Sequence, residues 1–409
     1  MSNDLKGTVE PGWEAVADAF RQTQNGADHG AALCVYFQGR PVVDLWTGLA
    51  DRARGRNWER DTPQLVASTT KGAAAICAHM LVERGLLDLD APVTRYWPEF
   101  GQAGKEGVLV RHLLSHQAGL PYVEPEVPFE RACQWTPMIR ALEAQPPLWR
   151  PGTEHIYHAI TFGFLVGELV RRVTGKSVGR FFADEIAAPL GLSAWIGLPK
   201  EVEPEVATME AEPFPIDRMQ ELVADFADTM RMPHEVIGRL MVDFYGPGTA
   251  FARAGAAGGI TVDNMLSAEY RAAEFPGANM VASAHSIARM YAATVSEVDG
   301  VRLLQPNSVA RAIEPQTIRS RMHGVPEDLL GYTPGLFNMS LGFWRATPPI
   351  LPLLGPASFG HPGSGGSLGA ADPDRGVGFG YVPNFWPAAM VDRRAPTLCD
   401  AVRQCLGGQ

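Results

Sequence analysis

The order of secondary-structure signals along the chain is the feature that most constrains its fold. Runs rich in β-formers occur near both ends, at residues 31–37 and 42–47 and again at 339–345, 367–372 and 377–383. The first two runs flank the turn-like sequence QGRP and predict a hairpin. Because the long middle part has helical spacing instead, we predict one sheet built from both ends of the chain around a helical insertion.

Helical periodicity marks the segments around and between these strands. Residues 13–25 place Trp13, Val16, Ala17 and Phe20 on one face of an amphipathic helix. A second helix is predicted from about residue 68 to Gly85, and another over 396–406. A longer helix that closes at Gly175 carries its apolar face at Phe162, Leu165, Val166, Leu169, Val170 and Val173. Residues 200–280, rich in Glu, Pro, Met and Gly, are interpreted as a cap or pocket wall.

Composition narrows the classes of function. The chain has 409 residues, of which 46% are hydrophobic and 20% charged, and this is typical of a well-buried globular protein. A formal net charge of −10 argues against nucleic acid or an anionic membrane surface as a partner. No apolar run approaches the roughly 18 residues that a membrane span needs, and we see no secretory signal. We therefore expect a cytoplasmic protein that acts on small molecules.

The cysteines and histidines give no sign of a disulfide framework or a metal site. The five cysteines are scattered, without C-x-x-C spacing, which favours reduced thiols. His112 and His116 have i, i+4 spacing but no third ligand nearby, so we interpret them as core or surface histidines. We predict no metal and no cofactor.

The strongest local motif is the S-x-x-K pair of Ser68 and Lys71. Lysine is scarce, with five lysines among 35 basic residues, so a lysine in this position is informative. At the start of a helix the Ser68 hydroxyl lies among unpaired N–H groups, and Lys71 shares its face about 5 to 6 Å away. Burial among residues 72–75 would disfavour the ammonium and make the amine a base. The alternative is that Ser68 is only an N-cap and Lys71 a solvated lysine.

Two further residues need a larger context. Tyr157 lies in a loop before the long amphipathic helix, where it can share a proton with a serine hydroxyl if a lysine keeps its phenol partly ionised. The ordinary alternative is a tyrosine that packs at a helix entrance.

Ser367 lies in GGSLG, a G-x-S-x-G pattern, but a strand and not a helix follows it, and no histidine follows His361. Ser367 is therefore not predicted to be a nucleophile.

Several blocks in order carry a resemblance to a known family. They are Ser68-Thr69-Thr70-Lys71, RHLLSHQAGLP, PGTEHIYHAITFGFLVGELVRRVTG, LGFW and FGHPGSGGSLGAADP. From about residue 30 to about 385 the chain resembles the serine β-lactamase-like superfamily and looks most similar to family VIII carboxylesterases, which are related to class C β-lactamases and D-alanyl-D-alanine peptidases.

The resemblance implies a fold and a division into domains. The fold would be α+β, with an antiparallel sheet flanked by helices and an all-helical second domain. Residues 1–66 and 283–409 would form the sheet domain. Residues 67–282 would form the helical domain, including the cap at about 200–280, and the site would lie between the two.

The resemblance also implies roles for particular residues. Ser68 would be the acylated nucleophile, Lys71 its base, and Tyr157 the second acid/base. His361-Pro362-Gly363 falls where β-lactamases carry K-T-G on the edge strand, with His361 and Gly363 at the substrate. The backbone N–H groups of Ser68 and Ser364 would form the oxyanion hole, since Pro362 has no N–H. Trp344 would line the acyl pocket, although a core position is the alternative.

Departures from the family pattern shape the predicted function. Tyr157-His158-Ala159 replaces Y-x-N, and His361 replaces the K-T-G lysine that helps bind a substrate carboxylate. His361 would be largely neutral near pH 7, or would simply hold its strand. We therefore predict a serine carboxylesterase for short-chain or small neutral esters. A β-lactamase or amide hydrolase, an acyltransferase, and a non-catalytic binding protein on the same scaffold remain alternatives.

Overall fold

A seven-stranded antiparallel sheet joins the two ends of the chain. The computed structural model describes residues 5–24, 28–213, 218–333 and 336–407. The strands are β1 Lys6–Val9, β2 Ala31–Phe37, β3 Arg40–Thr47, β4 Trp344–Arg345, β5 Phe359–Pro362, β6 Leu368–Asp372 and β7 Val377–Pro383. Their order across the sheet is β1-β3-β2-β7-β6-β5-β4, and every neighbouring pair is antiparallel. The central pairing of β2 with β7 confirms that both ends of the chain build one sheet.

Helices and short strands make up most of the remaining described chain. The helices are α1 Glu14–Thr23, α2 Thr70–Glu83, α3 Val110–Leu114, α4 Phe129–Ala132, α5 Thr136–Ala144, α6 Thr161–Thr174, α7 Val178–Phe182, α8 Ala188–Leu190, α9 Met219–Met230, α10 His234–Asp243, α11 Ala250–Ala256, α12 Val262–Met265, α13 Ala268–Ala272, α14 Ala284–Val295, α15 Pro306–Ala312 and α16 Arg394–Gly407. Short strand pairings join Leu49–Asp51 to Arg56–Asn57, Val281–Ala282 to both Gln64–Leu65 and Ala194–Trp195, Glu154–His155 to Arg321–Met322, and Glu210–Ala211 to Phe385–Trp386.

The alternation of side chains in β2 gives the sheet two buried faces. Ala31, Leu33 and Val35 belong to the core that contains α1 and α16. Ala32 and Cys34 point to the opposite face and join the core that contains α14 and α2. A strand that is buried on both sides needs apolar residues at successive positions, and the sequence of β2 has this continuous apolar pattern.

Two glycines in β7 let α14 lie close against the sheet. A Cβ atom at Gly378 would lie 2.5 Å from the backbone nitrogen of Ala292, and one at Gly380 would lie 2.2 Å from the carbonyl oxygen of Ala284. Both distances are shorter than any normal contact. The alternating glycines in the sequence GVGFGY are therefore required by helix packing.

Two sequence predictions needed revision in detail. Helix α6 is buried around its whole circumference from Thr161 to Val170, and not along one apolar face. The strand predicted at 339–345 is reduced to β4, because the positive φ of Gly342 turns the chain and Met339 forms a bridge with Trp344. The terminal helix α1 and the β2–β3 hairpin are confirmed.

The remaining predictions concern the middle of the chain. Helix α2 contacts both α6 and β5, so it lies between the helical part and the sheet. In the described parts of residues 200–280 the chain forms α9 to α13. The division into 1–66 with 283–409 and 67–282 stays a prediction. Within the described ranges, no helix combines the length and apolar character needed to cross a membrane.

Candidate active site

Ser68 lies on a tight, strained turn that leads into α2. The turn is the 3₁₀ helix Ala67–Thr69, and Ala67 has a φ of 44°, in the left-handed region that residues with a Cβ rarely adopt. Two hydrogen bonds to Met280 hold it, one from the Val66 N–H (2.9 Å) and one from the Met280 N–H to the Thr70 hydroxyl (2.8 Å). Ser68 is partly exposed, whereas its neighbours are buried. Strain held by such fixed contacts is common at functional positions.

Lys71 reaches Ser68 from the first turn of α2. Its side chain is fully buried. The Nζ atom donates to the carbonyl oxygens of Ala159 and Gly277, each at 2.6 Å, and lies 3.2 Å from Ser68 Oγ. The sequence prediction that the serine and lysine share one helix face is therefore confirmed by geometry, and the alternative of a solvated Lys71 is wrong.

The surroundings of Lys71 favour a neutral amine. Burial lowers the pKa of Lys71 well below its usual range. A neutral amine has two N–H donors and one lone pair. With the two N–H groups directed to Ala159 and Gly277, the lone pair faces Ser68, whose hydroxyl can donate to it.

A second buried lysine shows a different arrangement. Lys105 is also fully buried, but its Nζ donates to three backbone carbonyl oxygens, those of Gln102, Glu143 and Gln145, at 2.6 to 2.9 Å. Three acceptors suit the three donors of an ammonium. Burial lowers the pKa of Lys105 to about 8. Lys105 is therefore a structural cation, and it provides an internal comparison for Lys71.

Tyr157 lies beside the same hydroxyl. Its phenol forms a hydrogen bond with the Ser68 side chain, and Lys71 Nζ lies 4.7 Å from the centre of its ring. Burial raises the pKa of Tyr157 above its usual range, and the bond with Ser68 opposes this only in part. The phenol therefore stays protonated, and the sequence-based hypothesis of a partly ionised phenol is not supported. Tyr157 can therefore act as an acid, and the neutral amine of Lys71 can act as a base.

Two histidines fix the loop that carries Tyr157. The backbone N–H of His158 donates to His116 Nδ1 at 3.0 Å, and the His116 ring lies 5.0 Å from the Tyr157 ring. His158 Nδ1 lies 2.7 Å from the carbonyl oxygen of Ile156, and His158 Nε2 accepts from the Leu120 N–H. Burial lowers the pKa of both histidines, so both are neutral. They are positioning residues, as expected for core histidines and not for metal ligands.

His361 approaches Tyr157 from β5. Its Nδ1 lies 2.7 Å from the carbonyl oxygen of Pro362, so Nδ1 carries the proton and Nε2 is an acceptor. Nε2 lies 3.5 Å from the Tyr157 hydroxyl. Burial lowers the pKa of His361 well below its usual value. His361 is therefore a neutral side chain at the place of the family's K-T-G lysine. Its strand is next to the edge, since β4 lies outside it.

The segment after His361 packs against the nucleophile turn. A Cβ atom at Gly363 would lie 2.2 Å from the Val66 carbonyl oxygen, so only glycine fits there. Gly363 uses its own N–H in a bond to the Ser367 carbonyl oxygen (2.8 Å). The next residue, Ser364, is exposed and borders a cavity that also contains Ala67. Ser364 and Ala67 thus border one crevice, and the oxyanion hole stays a prediction.

Ser367, the serine of GGSLG, is a structural residue. It is buried, and its hydroxyl donates to the Val66 carbonyl oxygen at 2.9 Å and shares a 3.0 Å hydrogen bond with the Thr69 hydroxyl. It therefore fastens the start of β6 to the Ser68 turn, and both bonds engage its hydroxyl.

Arg394 lies near this segment and was not predicted. From the start of α16 it donates to the carbonyl oxygens of Gly365 (3.0 Å) and Phe385 (2.8 Å) and pairs with the Asp392 carboxylate. Its neighbours occupy its donors and neutralise its charge. Arg394 is therefore not placed to bind a substrate carboxylate in place of the missing lysine.

Trp344 lies in a cavity wall close to the other site residues. Its ring is 6.4 Å from that of Tyr157 and 6.3 Å from that of His361. The cavity has a volume of about 690 Å³ and is also lined by Pro362, Gly363 and Ser364. Trp344 is partly exposed, so the core alternative is not supported.

One group of potential metal ligands does not fit a metal. Cys34, Asp44 and His285 bring ligand atoms within 4.8 Å of one another. However, the Arg60 guanidinium lies between them, 2.6 Å from Asp44 and 2.9 Å from His285. Burial also raises the pKa of the Cys34 thiol well above its usual value, so no thiolate is available.

Comparison with known proteins gives a consistent picture. Residues 16–402 match the Beta-lactamase family. The chain is 36% identical over 395 residues to "Esterase/beta-lactamase LipL" of Mycobacterium tuberculosis, which covers 94% of this chain and 85% of that protein. A solved family VIII carboxylesterase shares 32% identity, with a TM-score of 0.82 over 98% of this chain and all of the other. EstA from Arthrobacter nitroguajacolicus shares 31% identity, with a TM-score of 0.81 over 100% and 99% of the two chains.

Proposed function

The chain belongs to the Beta-lactamase family, and from that premise we propose that it is a carboxylesterase that hydrolyses neutral esters through an acyl-enzyme on Ser68. The observation that carries the proposal is the environment of Lys71. Its Nζ is held by two backbone carbonyl oxygens and lies 3.2 Å from the Ser68 hydroxyl. The family supplies the context of a serine hydrolase, and this contact supplies the nucleophile and its base.

Acylation begins with the transfer of the Ser68 proton to Lys71. The serine oxygen attacks the ester carbonyl carbon, and the carbonyl oxygen becomes an oxyanion. The N–H groups of Ser68 and Ser364 stabilise that charge. The Ser68 N–H lies at a helix start, where N–H groups lack intrahelical acceptors.

Collapse of the tetrahedral intermediate requires a proton for the leaving alcohol. Tyr157 supplies it, because its pKa is raised and its phenol is protonated at neutral pH. The carbon–oxygen bond to the alcohol breaks, and the proton held by Lys71 restores the phenol. The ester linkage to Ser68 remains.

Water completes the cycle. It attacks the acyl-enzyme carbonyl carbon while Lys71, again neutral, accepts its proton through Tyr157. The carboxylic acid leaves, and Ser68 regains its proton. Each acid or base returns to its starting state, so atoms and charges balance over one turnover.

Neutral esters fit this site better than carboxylate-bearing lactams. The neutral His361 replaces the lysine that binds a carboxylate in related lactamases, and Arg394 is paired with Asp392. An uncompensated carboxylate would therefore lose solvation without gaining a cationic partner. A β-lactamase would instead turn over nitrocefin at a rate comparable to its ester hydrolysis.

The test is hydrolysis of p-nitrophenyl acetate and butyrate by the wild type and two serine variants. Ser68→Ala should lose activity by at least a thousandfold, because the nucleophile is gone. Ser364→Ala keeps its backbone N–H and should remain within a few-fold of wild type. Equal activity of wild type and Ser68→Ala would overturn the proposal.

Two further measurements separate the remaining alternatives. A fluorophosphonate probe should label Ser68 in the folded protein, whereas a binding protein without catalysis would give no label. Product analysis with added alcohols should show mainly free acid; a dominant transesterified product would indicate an acyltransferase instead.

A further inference from the structure

A large apolar cavity adjoins the site and gives information about the substrate. Its volume of about 690 Å³ lies within the range of small-molecule pockets. Met219, Phe226, Met241 and Ile350 form much of its wall, together with Trp344. Such a cavity accepts a large apolar group and excludes much of the water around it.

The cavity lies on the Tyr157 side of the site. Phe337 and Trp344 line it, and each has its ring centre 6.4 Å from that of Tyr157. Under the proposed function Tyr157 protonates the leaving oxygen, so the alcohol part of the ester must lie beside its phenol. The alcohol part is thus the part that the cavity receives, so Trp344 would line an alcohol pocket and not the acyl pocket expected from the sequence.

A much smaller cavity is also bordered by Ser364. Its volume is about 20 Å³, and its lining includes Ala67, Met209 and Leu266. Ala67 directly precedes the nucleophile. The acyl and alcohol parts of an ester point away from the carbonyl carbon in different directions, so a substrate with its alcohol beside Tyr157 directs its acyl group toward this crevice.

The charges around the large cavity also favour an apolar group as its occupant. Among the described residues that line it, Asp392 is the charged one, and its carboxylate is paired with Arg394. A neutral hydrocarbon group therefore enters without leaving a buried charge unpaired.

We infer that the preferred substrates are esters of a short acid with a large apolar alcohol. The inference rests on the proposed function and narrows it, since it assigns the two parts of the ester to cavities of different size. Octyl acetate is a representative substrate of this class. Each methylene of the alcohol that enters the cavity should raise kcat/KM by about fourfold until the cavity is filled.

A pair of isomeric esters tests the orientation directly. Octyl acetate and ethyl octanoate have the same formula and similar hydrophobicity, but they exchange the long chain between the alcohol and the acid. We expect the wild type to hydrolyse octyl acetate with a kcat/KM at least tenfold higher. Equal values, or a preference for ethyl octanoate, would overturn the inference.

Two variants in α10 test whether the alcohol part of the ester occupies the large cavity. Met241→Trp fills the cavity and should lower kcat/KM for octyl acetate at least tenfold relative to ethyl acetate. Val242→Trp is the matched control, because Val242 is the adjacent residue and is 71% exposed. It should leave the ratio of the two substrates unchanged. If Met241→Trp also leaves that ratio unchanged, the alcohol does not occupy this cavity.

Ser68→Ala distinguishes this inference from the proposed function. Suppose that Ser68→Ala hydrolyses neither isomer and that the wild type hydrolyses both at equal rates. The proposed esterase function would then stand, and the inferred placement of the alcohol in the large cavity would be wrong. Hydrolysis that persists in Ser68→Ala would overturn the proposed function itself and the inference with it.

Discussion

The Lys71 amine and the Gly277 carbonyl oxygen form a 2.6 Å hydrogen bond across 206 positions of the chain. Gly277 packs directly against Gly163 of α6, where a Cβ atom would lie 2.3 Å from the Gly277 nitrogen. The position of Lys71, the proposed base, therefore depends on a close approach of two glycine backbones, which mutation can test.

Gly163→Ala should displace the Gly277 carbonyl and misplace Lys71. We expect kcat to fall by at least tenfold and the free energy of unfolding to fall by about 1–3 kcal/mol, as for an overpacked core. Steady-state kinetics and urea denaturation measure the two effects. Gly238→Ala in α10 is the matched control, since a Cβ there meets nothing within 4 Å. It should keep full activity and gain up to about 1 kcal/mol. Normal kcat in Gly163→Ala would show that this contact does not position the base.

Replacement of the two buried lysines should separate catalysis from structure. Lys71→Met should abolish activity, whereas Lys105→Met should lower the free energy of unfolding and retain activity in the folded fraction. The difference follows from their hydrogen-bond partners, which are two carbonyl oxygens and the Ser68 hydroxyl for Lys71 but three carbonyl oxygens for Lys105. Esterase assays beside urea titrations measure both effects. An active Lys71→Met protein would contradict the assignment of the base.

The stability of the same variants should depend on pH. Because the folded-state pKa of Lys71 is lowered, the unfolded chain binds one more proton between that value and the unfolded value of about 10.4. Stability of wild type relative to Lys71→Met should therefore rise with pH in this window, by at most about 1.4 kcal/mol per unit. For Lys105→Met the rise should begin only near pH 8. Urea titrations at pH 7, 8 and 9 test this, and parallel curves for Lys71→Met and wild type would show that Lys71 has an ordinary pKa.

The pH profile of kcat/KM should reach a plateau well below the usual pKa of lysine. The base must be unprotonated, so activity rises as pH increases through the lowered pKa of Lys71. The acid must be protonated, and the raised pKa of Tyr157 keeps it so throughout the accessible alkaline range. Rates corrected for spontaneous hydrolysis should therefore already be flat as the pH approaches the usual lysine value of about 10.4. A rate that still rises tenfold per unit up to that pH would contradict a lowered pKa of Lys71.

Tyr157→Phe should reveal whether the phenol acts as an acid. Removal of the hydroxyl should lower kcat/KM for ethyl acetate by about 10²–10⁴-fold. The loss should be much smaller for p-nitrophenyl acetate, because p-nitrophenolate leaves without a proton. A purely structural role would lower the rates for both esters equally, so the ratio of the two losses is the diagnostic quantity.

Ser367→Ala should weaken the protein without moving the nucleophile. The change removes the bonds to Val66 and Thr69, and we expect the free energy of unfolding to fall by about 1–2 kcal/mol. Peptide mapping after fluorophosphonate treatment should still find the label on Ser68. A wild-type label on Ser367 would contradict the assignment of Ser68.

The sequence carried enough information to identify the residues that meet at the site. S-x-x-K fixes the distance between Ser68 and Lys71 through helix geometry, and the order of the surrounding blocks suggested that Tyr157 and His361 join them. The β2 run and the glycine-spaced β7 run likewise indicated strands at opposite ends of the chain. In each of these cases the side-chain type or its spacing carries the signal.

Other parts of the site could not be read from sequence. The acceptors at Ala159 and Gly277 are backbone carbonyls, which every residue possesses, so only the fold selects them. Arg394 and Asp392 depend on how α16 meets the end of β5. The raised pKa of Tyr157 depends on burial by distant segments, and for this reason the ionised phenol was the wrong expectation.

The pairing of β2 with β7 has a consequence for how the chain is made. At a translation rate of roughly 5–20 residues per second, the ribosome adds Val377, the first residue of β7, roughly 20 to 70 s after it has completed β2. During that interval the emerging hairpin of β2 and β3 has apolar side chains on both faces and an unpaired edge at the future centre of the sheet. Such an edge is a template for wrong pairing. The hairpin is therefore the segment whose protection by chaperones should matter most on the ribosome.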